Sequence, residues 1–229
     1  MTDRTLPACS EATIDDVYGQ LATLPSPGNR LVTVTVGGND AGFADELENC
    51  FLSGCTDRQA EIEARVDGLL DPLTTLYEDI KAAAPGDRVL VGAYPLLVPD
   101  PAVRGWCAAL TFLITSSEPR MIRSLGVRLN DVIDQAAARA CVTAVTTGLE
   151  TEFTGHEACR NSSRDWIYGL KISFFGLGAE SAPGPEVIAR VSLRPGVAAD
   201  FVSDSFHPTK RGQVAYADSL EDAYFGGVQ

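Results

Sequence analysis

Three short β-branched runs alternate with long segments of helical period, and this alternation leaves the chain few architectures. "RLVTVTV" (Arg30–Val36) reads as a strand by alternation and β-branching. "RVLVGAYP" (Arg88–Pro95) is a second strand, ended by its proline, and "CVTAV" (Cys141–Val145) a third. Between the first two, Ile62, Val66, Leu69, Leu73, Leu76 and Ile80 keep a helical period from Arg58 to Ala84, and Pro72 is expected to kink that helix. Between the second and third, Ile122, Leu125, Leu129, Val132 and Ile133 do the same from Glu118 to Ala140, with Pro119 at the start. "EATIDDVYGQLATL" and "AGFADELENC" read as shorter helices. A last helix is predicted from Thr209 to Tyr224, entered through Pro208. Strands joined through long helices argue for parallel crossovers, hence an α/β fold. One domain over residues 1–229 is expected, with no internal repeat. The stretch from Gly148 to Asp204 is rich in Gly, Pro and Ser, and reads as long loops over one rim of the sheet.

The net charge is −13, which argues against a nucleic-acid backbone or an anionic membrane as partner. No stretch approaches the ~20 apolar residues of a membrane span, and no basic-then-apolar leader follows Met1. The six cysteines are Cys9, Cys50, Cys55, Cys107, Cys141 and Cys159. None forms a CxxC pair, and only His156 and His207 could assist, so a zinc site is not expected. Their scatter fits either disulfides in an oxidising compartment or buried thiols. A bridge between Cys50 and Cys55 would close a short loop and contribute roughly 2 kcal/mol; one closing a much longer loop contributes about 4.

Two stretches carry groups suited to chemistry. In "SDSFHP" (Ser203–Pro208), Asp204 precedes His207 by three residues, just before the last helix. A loop there can fold the carboxylate onto Nδ1 of the imidazole, fix its tautomer and leave Nε2 as a base, worth ~10²–10⁴-fold in rate. The plainer alternative is a turn-capping Asp204 and a surface His207. In "VTVTVGGNDAGF" (Val32–Phe43) the first strand ends at Gly37-Gly38-Asn39-Asp40. Glycines let backbone approach a ligand, and an amide side chain can donate to a developing oxyanion, worth ~10²–10³-fold. The alternative is a glycine-led turn, but a hairpin needs a second strand, and a helical segment follows instead.

"GGND" after a strand and "DSFHP" before the last helix resemble two sequence blocks of the SGNH (GDSL-type) hydrolases. "ACSEATIDDV", "LVTVTVGGNDAGF", "VLVGAYP", "FTGHEAC", "DWIYGL" and "FHPTKRGQVAYA" are similar, in order from Ala8 to Ala217, to its secreted actinobacterial lipase and esterase branch. The resemblance implies a three-layer α/β/α sandwich with a flavodoxin-like parallel sheet. It implies ester hydrolysis through an acyl-enzyme on small-molecule or lipid esters, without metal or cofactor, in a secreted protein. His207 would be the base, Asp204 its orienting partner and Asn39 an oxyanion donor with Gly38 beside it. Cys50 would pair with Cys55, and Cys107 with Cys159.

The departures are as informative. The family's nucleophile is the serine of a Gly-Asp-Ser block on the first, central strand, ahead of the "ACSGAT"-like block. Here that second block begins at Ala8, and no Gly-Asp-Ser occurs in the sequence. Gly86-Asp87 is followed by Arg88, and "ADSL" (Ala217–Leu220) lies in the last helix. Ser10 aligns with the second block. Glu11 stands where the family has a glycine whose N–H helps form the oxyanion hole. Cys9 and Cys141 are left without evident partners. His156, Phe153 and Trp166 read as structural residues of the loop region, while Tyr94 reads either as pocket lining or as core. The resemblance thus implies a domain lacking its first strand and serine, with negligible esterase turnover, marginal stability and self-association through open strand edges. The competing expectation is a non-catalytic binding or accessory protein that retains the cleft.

Overall fold

The computed structural model describes residues 5–26, 28–52, 55–100, 117–158, 163–169, 172–174, 199–201 and 206–226, with backbone alone at 48–52, 172–174 and 199–201. Helix α1 (Ile14–Leu21) leads to strand β1 (Leu31–Val34), and α2 (Phe43–Leu52) follows. A 3-10 turn at Thr56–Arg58 opens α3 (Gln59–Asp67), and α4 (Leu70–Ala83) leads to β2 (Arg88–Gly92). The long α5 (Glu118–Ala140) precedes β3 (Thr143–Val145) and α6 (Thr147–Phe153). Strands β4 (Ile172–Phe174) and β5 (Ala199–Phe201) come before α7 (Lys210–Gly226).

β1, β2 and β3 form a parallel sheet in that order, with Val32 opposite Val89 and Val91 opposite Ala144. Strand periodicity sends alternate residues to opposite faces. Val89 and Val91 pack, with Val32 and Val34, into a core under α1, α3, α4 and α5. Leu90, Leu31 and Val145 pack on the other side against Leu149 and Phe153 of α6 and Ala215 and Tyr216 of α7. Both faces are covered, as a parallel sheet requires. The expected three-layer α/β sandwich is what the chain adopts.

Several elements differ from expectation. The helical stretch after Arg58 is two helices, and the break falls at Gly68, not Pro72. Pro72 sits in the first turn of α4, where its missing N–H costs no intrahelical bond. The first helix starts at Ile14, where the Asp16 carboxylate accepts from both the N–H and the hydroxyl of Thr13. The Gly148–Asp204 region is not only loop: α6 begins it, and β4 pairs antiparallel with β5. α5 spans the expected residues and ends on Cys141 in the left-handed region (φ 54°), its last carbonyls bonded by Lys81 Nζ at 3.1 and 3.2 Å.

Asp87 ties the amino ends of β1 and β2 together. Its carboxylate accepts from the N–H groups of Gly28 (3.1 Å) and Arg30 (2.9 Å) and from Arg30 Nε (2.8 Å). Its side chain is fully covered. The Arg30 guanidinium, and then the Arg30 backbone N–H, hold its pKa at about 2, below the ordinary 3.8. A carboxylate depressed on folding contributes stability above its unfolded pKa and loses it as pH falls through the folded one. Acid titration of wild type should therefore show a loss of stability between about pH 4 and 2 that Asp87→Asn abolishes while lowering Tm at pH 7; unchanged acid unfolding in the variant would refute this.

Candidate active site

At the carboxyl end of β1 each residue of Gly37-Gly38-Asn39-Asp40 has its own task. Gly37 takes φ 111°, closed to side-chain-bearing residues. Gly38 lies against Tyr94: a Cβ there would meet the phenol oxygen at 3.0 Å, and the Gly38 N–H donates to that oxygen at 3.0 Å. Asn39 Nδ2 donates to the Ala12 carbonyl at 3.0 Å, which leaves its second hydrogen for another acceptor. The Asp40 carboxylate accepts from the Ile14 N–H at 3.1 and 3.3 Å, at the amino end of α1, where negative charge is favoured. Backbone bonds from Ala41 to Gly37, Gly42 to Asn39 and Phe43 to Gly38 turn the chain into α2.

These contacts bring Glu11, next to Ala12, to the same place. Its φ is 61°, and its side chain is exposed. A left-handed backbone is the natural home of glycine, so Glu11 holds a strained conformation.

His207 stands on the same rim. The guanidinium of Arg88, at the amino end of β2, bonds the Ala223 (2.9 Å) and Tyr224 carbonyls near the end of α7. Further back along α7, Tyr216 donates its hydroxyl to Ala93 beyond the carboxyl end of β2 (2.9 Å), so the Thr35 hydroxyl donates to Tyr216 (2.6 Å). A Cβ on Gly92 would fall 2.0 Å from the Tyr216 hydroxyl, so only glycine fits beneath it. α7 thus runs against the strands, and the segment before it, with His207 exposed, lies above their carboxyl ends. That segment is braced by Phe206 N–H to Tyr168 (3.1 Å), Tyr168 N–H to His207 (2.9 Å) and Thr209 N–H to Trp166 (2.7 Å). The bonds hold Phe206 at φ 62°, a conformation costing ~1–3 kcal/mol for a bulky residue. Asp204 lies outside the described residues.

The other singled-out residues find structural places. The His156 ring stacks on Trp166 with centroids 3.7 Å apart, and its Nδ1 bonds the Arg164 carbonyl at 2.6 Å. Phe153 is buried and meets Trp166 edge-on. Tyr94 is a buttress: burial, then the Asp40 charge, push its pKa up to about 12 against the opposing effect of the Gly38 N–H. Asn130 escaped the sequence reading. It is buried in α5, accepts from Tyr94 N–H and donates to the Tyr94 carbonyl, both at 2.9 Å, and donates to Glu150 at 3.0 Å. A polar residue beside Leu129 and Val132 on a buried helix stripe was the available signal. Cys55 is buried and disulfide-bonded, whereas Cys9 and Cys141 are exposed free thiols. The Cys50 side chain, Cys107 and Cys159 lie outside the described residues. Among the described residues no group of three or more His, Cys, Asp or Glu could hold a metal ion, and no helix is long and apolar enough to cross a membrane.

Known proteins resemble this chain in sequence and in overall fold. A model of the GDSL-like Lipase/Acylhydrolase family matches residues 2–215. Lipase 1 of Streptomyces coelicolor is 37% identical over 183 residues, which are 77% of this chain and 62% of that protein. A lipase of Streptomyces rimosus is 29% identical over 211 residues, 90% of this chain and 64% of its own length. The chain therefore spans less than two thirds of either relative. Among solved structures, extracellular lipase from Streptomyces rimosus superposes with a TM-score of 0.69 at 30% identity, covering 94% of this chain and 78% of that one. Phospholipase A1 from Streptomyces albidoflavus gives 0.65 at 29%, covering 93% and 77%.

Glu11→Gly should relieve the left-handed strain and stabilise the protein by about 1 kcal/mol. Thermal unfolding should show Tm rising by roughly 2–4 °C; a fall would mean that the Glu11 side chain holds the turn.

Proposed function

We propose an ester-hydrolysing function, and the proposal starts from family: the chain belongs to the GDSL-like lipase/acylhydrolase family. The carboxyl rim is read as serine-esterase machinery for acyl esters, small-molecule or lipid, in a single domain of a secreted protein. His207 is the general base and Asp204 its orienting partner. The free hydrogen of Asn39 Nδ2 donates to the oxyanion, with the Glu11 N–H as a further donor. Gly38 serves by close approach, its own N–H being engaged by Tyr94. Cys50–Cys55 and Cys107–Cys159 are the proposed bridges. The observation that carries the reading is that Asn39 and His207 share one rim, on elements that a parallel sheet gathers there. Lipases and a phospholipase among its relatives, one named as extracellular, support lipid esters and export.

The serine is not encoded in the Gly-Asp-Ser form anywhere in these 229 residues. A polypeptide of this sequence keeps only the ~10³–10⁴-fold acceleration of oxyanion and binding groups. The same lack favours a second reading, an accessory protein that binds in the cleft without turnover. Among the described residues β1 pairs on one side only, which supports self-association through its open edge.

A carboxylate product tests the site without turnover. Octanoate should shift the Asn39 side-chain amide and the His207 ring in NMR spectra, and Asn39→Ala should weaken it about tenfold, the worth of one hydrogen bond to a charged group. If neither signal moves, the hydrolytic reading fails. A fluorophosphonate probe should leave the chain unlabelled; stoichiometric capture of any serine would show a nucleophile outside the Gly-Asp-Ser form.

A further inference from the structure

Asn39 takes its direction from a turn that is pinned at both ends. At the entry, Tyr94 holds the Gly38 N–H. At the exit, the Gly42 N–H bonds the Asn39 carbonyl at 2.9 Å, so a movement of Gly42 reaches Asn39 directly. Gly42 takes φ 71°, in the left-handed region, and a side chain there is excluded a second time: a Cβ would fall 2.4 Å from Arg65 Nη1. The guanidinium of Arg65, reaching over from α3, lies flush against this glycine. Its Nη1 donates to the Ala41 carbonyl at 3.1 Å and its Nη2 to Glu46 Oε1 at 3.3 Å. Glu46 is buried in the first turn of α2, and its N–H bonds the Gly42 carbonyl at 3.0 Å. One planar fork thus joins the end of the turn to the start of the helix that follows. The further ion pair of Arg65 with exposed Glu61, at 3.2 Å, adds little by itself.

We propose that Arg65 is a positioning residue for Asn39. By holding Ala41 and Glu46 at once it fixes the Gly42 exit, and with it the direction in which Asn39 Nδ2 offers the hydrogen that Ala12 does not take. Arg65 acts through the turn and not on the substrate. That the amide serves an oxyanion rests on the hydrolytic reading; that Arg65 sets its direction does not. The charge of Glu46 does not depend on Arg65 alone, because Arg58 meets the same oxygen at 2.9 Å. Removing Arg65 therefore leaves the buried carboxylate paired, and the variant can fold.

The test is a double-mutant cycle in the full chain, with octanoate as the probe. Arg65→Met should weaken octanoate about three- to tenfold in the wild-type background, the upper bound being the loss of the Asn39 hydrogen bond itself. In the Asn39→Ala background it should cost nothing further, whereas a merely structural loss would be the same in both. In the free chain, the NMR order parameter of the Asn39 side-chain amide should fall in Arg65→Met. Equal loss in the two backgrounds, no loss in either, or an unchanged order parameter would overturn the proposal. If wild type itself does not bind octanoate, the hydrolytic reading fails and the order parameter alone decides on Arg65. Should the Met variant not fold, Arg65→Lys keeps a charge beside Glu46 but offers one nitrogen where the fork has two, and the same pattern is expected of it.

Discussion

A parallel ladder sends the carboxyl end of every strand to one side, and what lies above the sheet follows from that. β1, β2 and β3 share this polarity. Each chain segment leaving a strand therefore starts on the same rim. Gly37–Asp40 leaves β1 there, Tyr94 leaves β2 there, and α7 returns antiparallel so that His207 arrives there. The topology thus puts the backbones of Asn39 and His207 on one rim of the sheet.

The rim is held by polar side chains, most of whose partners are backbone groups of other elements. Asn130 grips both backbone groups of Tyr94, and Tyr94 in turn takes the Gly38 N–H. Tyr216 bridges Thr35 and Ala93 across the ends of β1 and β2. Such bonds contribute only ~0.5–1.5 kcal/mol each, but leaving a buried partner unmet costs ~1–3 kcal/mol. The network therefore selects one arrangement more than it stabilises it. Glycine makes it sterically feasible at Gly38, Gly92 and Gly212, the last standing 2.1 Å, at its would-be Cβ, from the Trp166 carbonyl.

Glu11 shows how a family pattern and local physics meet. The resemblance places a glycine there, and the backbone takes the left-handed conformation that glycine favours. Asn39 and Asp40 bond the residues just after it, Ala12 and Ile14, and so hold the strained turn in place. A carboxylate in that position would oppose charge developing on an oxyanion unless it turns outward, and the Glu11 side chain is exposed.

The amino-acid sequence by itself determined the elements whose signal is local and repeated. α5 was legible from Glu118 to Ala140 because five inward apolar residues keep one period and a proline marks the start. The three strands were legible from β-branching, though each ladder is shorter than its run. α6 and the β4–β5 pair were not, since seven- and three-residue elements carry too few periods to read. Pro72 was misread because a proline breaks a helix only beyond its first turn, and the boundary at Gly68 depends on how α3 and α4 pack. Only the tertiary structure decided which polar groups meet: Asn39 with Ala12 across 27 positions, Tyr94 with Asn130 across 36, Thr35 with Tyr216 across 181. Periodicity reports which face of an element is buried. It holds no information on which partner is found there, because that contact forms only once the layers have packed.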